Sequence, residues 1–330
     1  MSTPNAYAGS SFRPHYDGDD NDIHIAAYDH DVSTQFEHKS LFVTERLSKY
    51  KPLSNSNTYR ADRLSGNFEV KGRSSGERPE STAPKMEKLI ITADTTTYSR
   101  VPIDYQDEWT APSFRKELAT NAGTAHALSF DQAHAIQLIK ASQWEVPPTL
   151  AGTFSPLTDR VVELPEVQTA EDAADAFVEE IKIAVNTFLM EKDLSCHELT
   201  LLVDPSLFSV LLDHKKLMNV QYSRLSGNDF SARRVGFVVG VRVIECNSFP
   251  QAAVDEHPLG EDYTVAADEV RTQAVLFHAP SVLVTVEAKS LTNRVYDDER
   301  DMSYVLDTFR MYNVGLARPD LVVAFKVPAE

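Results

Sequence analysis

Cysteine is almost missing from this 330-residue chain: Cys196 and Cys246 are the only two. Two thiols cannot make a disulfide framework, and these two lack metal-ligand spacing, so a reducing compartment is expected. Met1 to Ser10 carries neither a basic stretch nor an apolar run, and no secretory signal is predicted. Long hydrophobic runs are lacking too. The most apolar window, Val235 to Ile244, is interrupted by Arg242 and is too short to span a bilayer, so no membrane association is expected. Neither a phosphate-binding loop nor a dinucleotide fingerprint occurs, which removes the commonest nucleotide-dependent activities. Positive charge is scarce: 32 basic residues face 49 acidic ones, for a net charge of −17. Tight binding of nucleic acid needs many cations to neutralise phosphates, so a firm grip on DNA is not expected. These absences point to a soluble protein made in the cytosol.

What is present is globular. Hydrophobic residues make up 42% and charged residues 25% of the chain, and its length suggests about two domains. One long stretch, Asp107 to Trp144, reads as a helix with a thin apolar stripe of Phe114, Leu118, Ala122, Ala125, Leu128, Ile136 and Ile139. Small and polar residues between them make the stripe weak, which suits a spine laid across a thin sheet. Before it lies a basic island: seven basic residues from Arg46 to Arg73 accompany only Asp62 and Glu69. From that island onward two strand-like runs around a Gly/Ser/Pro tip at Gly72 to Ser81 predict a long hairpin returning at Lys88 to Ala93. An isolated two-stranded ribbon is marginal in water, so it needs a partner surface. Residues 1 to 35 are polar and acidic and are expected to be extended or disordered.

After the spine, Pro147-Pro148 and Gly152 break the chain and Val161 to Leu164 gives a short strand. Thr169 to Lys192 is the clearest helix, with a capping-type start at Thr169 and Asp172 and a stripe of Ala173, Phe177, Ile181, Val185 and Phe188. Leu199 to Val203 reads as a buried strand. Asp204 and Pro205 then form a natural start for a helix running to about Met218. Strands are expected at 235–239, 241–245, 272–277 and 281–288, a polar loop at 251–270, and two closing strands between Phe309 and Val327, joined at Ala317-Arg318-Pro319.

Tests for chemistry fail one after another. Gly72-Arg-Ser-Ser-Gly76 matches the G-x-S-x-G pattern, but that motif needs a strained turn between a buried strand and a helix, and here it falls at a polar hairpin tip. A soluble α/β enzyme such as a hydrolase using Ser74 is therefore the weaker alternative. His126 and His134 are eight residues apart on the spine with no carboxylate completing a metal set, and no metal or cofactor is expected. Asp297-Asp-Glu-Arg-Asp301 reads as a solvated acidic turn.

The order of segments resembles the major capsid protein of tailed bacteriophages, of the HK-97 fold, and most closely that of short-tailed podophages of the T-seven type. The resemblance runs from about Phe36 to the end. "FEVKGR" (Phe68 to Arg73) with the returning "MEKLIIT" (Met86 to Thr92) looks like that family's E-loop. "VPIDYQDEWTAPSFRKELATNAGTAHALSFDQAHAIQLI" (Val101 to Ile139) is similar without gaps to the approach to the spine helix and the helix itself. "LLVDPSLFSVLLDHKKLMN" (Leu201 to Asn219) and "VGFVVGVRVIECNSFP" (Val235 to Pro250) resemble the A-domain, and "RMYNVGLARPDLVVAFKV" (Arg310 to Val327) the closing strands of the P-domain.

That resemblance implies an α+β, HK-97-like capsid fold: an N-terminal arm at 1–55, an E-loop β-hairpin at 56–100, a P-domain with the spine helix at 101–165, an α/β A-domain at 166–280 and P-domain C-terminal strands at 281–330. It implies a structural protein and not an enzyme, self-assembling into hexamers and pentamers of an icosahedral phage head around double-stranded DNA that it contacts weakly. A scaffolding protein during assembly and a portal protein at one vertex are the expected partners. The location is the virion capsid, after assembly in the host cytoplasm. Arg60, Arg63, Lys71 and Arg73 of the hairpin are expected to contact a neighbouring copy, with Asp297, Asp298, Glu299 and Asp301 as acidic counterparts. On the spine, Asp131, His126, His134 and Lys140 are expected at assembly or lining positions, and Ala122, Gly123 and Ala125 where another backbone comes close.

Overall fold

The computed structural model describes residues 20–65, 72–73, 75–76, 78, 85–106, 114–148, 150, 154–167, 169–218, 228–229, 233–298 and 300–328. In chain order the helices are α1 (Asp20–Lys39), α2 (Leu41–Thr44), α3 (Phe114–Ser142), α4 (Ala170–Lys192), α5 (Pro205–Leu212), α6 (Lys215–Met218) and α7 (Ala267–Val270). The strands are β1 (Lys49–Pro52), β2 (Thr58–Ser65), β3 (Lys85–Thr92), β4 (Thr96–Asp104), β5 (Val161–Glu163), β6 (Leu199–Val203), β7 (Phe237–Val238), β8 (Val241–Glu245), β9 (Thr272–His278), β10 (Leu283–Asp298), β11 (Ser303–Leu316) and β12 (Val322–Lys326). They form three sheets: β1-β10-β11-β4, β5-β12-β9-β6-β8-β7, and the separate ribbon β2-β3.

The six-stranded sheet carries most of the core, and its sequence logic is direct. All five residues of β6 are buried, because the strand lies between β8 and β9 with both faces covered. On α4, Phe177, Ile181, Val185 and Phe188 are buried at helical spacing, and Phe177 meets Phe325 of β12 edge-on at 5.6 Å. The Thr169 hydroxyl caps α4 by accepting from the Asp172 amide, and Asp193 ends it in the left-handed region (φ 54°). Asp204 accepts from the Ser206 amide at the start of α5, with Pro205 in the first turn. The helix expected to reach Met218 is interrupted instead at Asp213 and His214. There His214 Nδ1 accepts the Leu217 amide, starting the separate turn α6, while its Nε2 lies 3.1 Å from Asp175 on α4.

The long helix α3 exists, and at about 1.5 Å per residue its 29 residues span about 43 Å. Its burial differs from the expected stripe. Of that stripe Ala122, Ile136 and Ile139 are buried, but Leu128 is 46% exposed and Ala125 is exposed, while Ala119, Ala127 and Phe130 face inward in addition. From Phe130 to Ser142 only Gln132 and Lys140 are not buried. Alanines and single leucines leave the phase of a helix ambiguous, and tertiary contacts chose it: α1 covers one side, and the strands β9, β11 and β12 cover others. Residues 107–113, including the expected helix start at Asp107, lie outside the described residues.

The expectation of an extended or disordered arm fails over residues 20–39, which form α1. Two apolar residues one helical turn apart decide the matter. Val32 and Phe36 are buried, and Phe36 packs edge-on against Phe130 of α3 with ring centroids 5.5 Å apart. Gly123 lets the two helices approach, since a Cβ there would stand 2.7 Å from the Val32 carbonyl oxygen. This local propensity is poor, and burial against a neighbour outweighs it. Two more elements are longer than expected: β10 begins near the predicted strand but continues to Asp298, and β11 starts at Ser303, so the acidic turn crowns a long antiparallel hairpin.

Candidate functional site

The ribbon β2-β3 alternates with period two, and its two faces differ. Arg60 pairs across with Ile90, Asp62 with Lys88 and Leu64 with Met86, in antiparallel register. Tyr59, Leu89 and Ile91 face the body, where Ile91 packs with Val284 and Val286 of β10. Gly315 of β11 is required here, because a Cβ at that position would lie 2.2 Å from Ile91 Cδ1. Arg60, Asp62, Met86, Lys88 and Ile90 face outward and are exposed.

The four basic candidates separate. Arg60 is exposed on the outward face, and Arg73 is exposed at the hairpin tip. Lys71 lies outside the described residues. Arg63 has only 11% of its side chain exposed. It donates from Nη2 to the Leu316 carbonyl, stands 4.0 Å from Glu87 and lies over the Trp144 ring at 5.7 Å. Burial holds its pKa below the usual arginine value. Arg63 thus ties the ribbon to its own subunit.

The acidic counterparts sit at the far end of the β10-β11 hairpin. Asp297 accepts a hydrogen bond from the Tyr105 hydroxyl, Asp298 accepts from the Arg300 amide at 3.1 Å, and Asp301 is exposed; Glu299 lies outside the described residues. Among the described residues no cluster of His, Cys, Asp or Glu fits a metal ion. Gly72, Arg73, Ser75 and Gly76 are exposed between two antiparallel strands, which is not the strand-turn-helix setting that G-x-S-x-G chemistry needs; Ser74 lies outside the described residues. Among the described residues no helix is long and apolar enough to cross a membrane.

The polar residues of α3 form an internal joint, which sequence reasoning missed. Asp131 accepts from the Ser40 hydroxyl at 2.7 Å and from the Leu41 and Phe42 amides at 2.6 and 3.4 Å, so it caps α2 from a distance of about ninety residues in sequence. Burial pushes its carboxyl up to about 6. His134 Nδ1 lies 2.7 Å from the Phe130 carbonyl, and Nε2 lies 2.7 Å from the Thr285 hydroxyl. A carbonyl only accepts, so Nδ1 bears the proton and Thr285 donates to Nε2; Ser48, 2.8 Å from Thr285, must then donate to it. The ring is neutral, and burial pushes its pKa down to about 3. Arg310 lies beside them, buried against Glu287 at 2.5 Å and stacked on Phe36, Phe130 and Tyr312 at 4.6, 4.3 and 5.0 Å. Lys140 pairs with Glu269 at 2.8 Å, and His126 lies 3.1 Å from the Ser99 hydroxyl. Asp131 and His134 are therefore internal joints of the subunit, not lining positions. Only the presence of charged and polar residues on an otherwise apolar helix could have hinted at this.

The shape of the molecule, a long helix under a thin sheet with a projecting ribbon, is matched in solved structures. The asymmetric unit of the bacteriophage PhiM1 mature capsid is similar over 88% of both chains, with 38% sequence identity and a TM-score of 0.76. This chain belongs to the family of bacteriophage major capsid proteins with the HK-97 fold. Copies of this major capsid protein build an icosahedral shell. Two more distant structures share the fold. The capsid of the cyanophage P-SCSP1u matches 87% of this chain and 88% of that one at 16% identity (TM-score 0.71). The virus-like particle of Pyrococcus furiosus matches 92% and 99% at 12% identity (TM-score 0.54). No protein-family profile and no curated protein matches the sequence. The alternative of a hydrolase finds no support, and the capsid relatives suggest a structural role for this major capsid protein.

Proposed function

We propose that the chain forms hexamers and pentamers of the head of a short-tailed phage of the T-seven type, in the virion capsid, after assembly in the host cytoplasm. A scaffolding protein guides assembly and a portal protein occupies one vertex. The observation that carries this reading is the 38% identity to a mature phage capsid over 88% of both chains. The ungapped likeness of Val101 to Ile139 to short-tailed-phage subunits supports the narrower assignment. In domain terms the E-loop is the β2-β3 ribbon and its tip, the spine and β1-β10-β11-β4 form the P-domain, and α4 with β6 to β9 forms the A-domain; β5 and β12, expected in the P-domain, join the A-domain strands in one six-stranded sheet.

In this reading Arg60 and Arg73, both exposed, reach a neighbouring copy, and Asp297, Asp298, Glu299 and Asp301 are candidate counterparts with Lys71 contributing at the tip. Arg63 acts inside its own subunit and aims the ribbon. An exposed ion pair contributes about 0.2 to 1 kcal/mol, which repetition over a shell makes sufficient while misplaced subunits still dissociate. The test is expression with the scaffolding partner and electron microscopy. Closed shells of uniform size are expected from the wild type, with a marked loss on Arg60→Glu combined with Arg73→Glu; soluble monomers from the wild type would overturn the reading. A wall with the chain's net charge of −17 should hold packaged duplex DNA weakly. Tight retention of duplex DNA by emptied shells, steeply weakened by salt, would contradict that.

A further inference from the structure

A half-open apolar cavity of about 580 Å³ lies where α1, the α2 turn, β1 and β10 meet, and one polar group at its wall is left over by the fold. Phe36, Phe42, Phe130 and Leu291 form the apolar wall, and the exposed Val43 and Tyr50 complete the lining on the solvent side. Arg310 of β11 lines the cavity as well, although only 4% of it is exposed. Its guanidinium donates from Nε to Glu287 at 2.5 Å, yet Nη1 is buried and meets no hydrogen-bond acceptor among the described residues. The ring centroids of Phe36, Phe130 and Tyr312 lie 4.6, 4.3 and 5.0 Å from Cζ, and ring carbons offer no lone pair to an N–H.

That donor selects the chemistry of an occupant. A buried donor without an acceptor is costly, and the more so when it is charged. The other charges of the lining cancel: Glu287 is taken by Arg310, and Glu37 and Arg46 are both exposed. A cation would therefore find no free buried carboxylate, whereas an acceptor finds Nη1. An ionised acceptor gains more from a guanidinium than a neutral one does. The cavity falls within the range of about 300 to 1,000 Å³ typical of small-molecule sites, which pair apolar walls with a few polar groups that fix orientation.

We propose that this cavity binds a small monocarboxylate with an apolar body. The carboxylate accepts from Arg310 Nη1, and the alkyl or aryl part lies against Phe36, Phe42, Phe130 and Leu291. The site belongs to the single subunit and goes beyond shell formation. Because those four side chains come from α1, α2, α3 and β10, a bound acid touches all four elements at once and stabilises the packing of α1 on the body.

The test uses the full chain as unassembled subunits, with phenylbutyrate and decanoate as probes and the alcohols of the same carbon skeletons as neutral matches. Titration calorimetry should show saturable binding of at least one acid at a single site per chain, with an affinity roughly ten-fold or more above that of its alcohol. The melting temperature should rise with the concentration of that acid. Arg310→Met combined with Glu287→Met removes both charges of the buried pair together, so neither is left alone; this variant should fold and bind acid and alcohol about equally. Val43→Trp, at an exposed position, should fold normally and bind both ligands more weakly by covering the mouth. No saturable binding of either acid, or equal affinity of the wild type for acid and alcohol, would overturn the site. A preference for acid that survives in the Arg310→Met/Glu287→Met variant would overturn the role of Arg310, and undiminished binding in Val43→Trp would place the ligand elsewhere and overturn it too.

Discussion

The C-terminal half of α3 and the β2-β3 ribbon are built on opposite terms. Around Phe130 to Ser142 nearly every side chain is buried, and the polar ones, Asp131 and His134, have their hydrogen-bonding groups matched within the subunit. The ribbon buries one face lightly, leaves Met86, Lys88 and Ile90 in solvent, and leans on its own subunit through Arg63 and Ile91. The first region determines whether a subunit folds. The second has spare chemistry that becomes useful only against another molecule. Substitutions should therefore sort by region, with stability lost at the spine and association lost at the ribbon.

The largest effect is expected at the ring that joins α1, α3 and β11. Phe130→Ala removes packing for Phe36, Tyr312 and the Arg310 guanidinium, and should cost about 3 to 5 kcal/mol in urea unfolding of the unassembled subunit. Loss below 1 kcal/mol would show that the joint is not the core of the subunit. Next comes Gly123→Ala, whose Cβ would press on the Val32 carbonyl and part α1 from α3; about 1 to 3 kcal/mol is expected. Its protease sensitivity should rise first within residues 20–39, and unchanged cleavage there would contradict the close approach.

A smaller effect comes from pH, because two buried groups oppose each other. His134 is depressed to about 3 in the fold, so its contribution is complete above its unfolded value near 6.5 and is lost as pH falls. Asp131 is raised to about 6, so its contribution is complete below about 4 and is lost as pH rises through 6. From pH 7 to 4.5 the two nearly cancel, leaving a net loss of about 1 kcal/mol toward acid. Relative to the wild type, His134→Gln should gain stability on acidification and Asp131→Asn should lose it. Parallel pH curves for the three proteins would refute the assignment. Smallest of all for stability is Arg60→Glu, expected within about 0.5 kcal/mol of the wild type because the side chain is exposed and has no ion-pair partner among the described residues. Its particle yield should nevertheless fall, and that split between folding and assembly is the sharpest test of the contrast.

Where local rules dominate, the elements were legible in the residues. Thr169 to Lys192 has a strong stripe and a side-chain cap, β6 is a continuous apolar run between turn signals, and Asp204-Pro205 starts a helix by its own chemistry. The order of these segments also carried the family resemblance. The basic hairpin was legible as a ribbon, yet the separate fates of Arg60 and Arg63 were not. Adjacent positions in a strand alternate faces, but only the placement of β11 beneath the ribbon decides which face is inward.

By itself the sequence determined the order of the ribbon, the spine, β5, α4, β6 and the start of α5, the absence of familiar catalytic motifs and the weakly apolar character of the spine, because each follows from neighbours a few residues apart. Tertiary structure alone decided that residues 20–39 are helical, that Ala127 and Phe130 rather than Leu128 face inward, and that Asp131 and His134 are joints. Those outcomes depend on contacts between segments about ninety to one hundred and fifty residues apart, as in Ser40 to Asp131 and His134 to Thr285. A weak local preference yields whenever a distant segment buries the helix's side and supplies its hydrogen-bond partners.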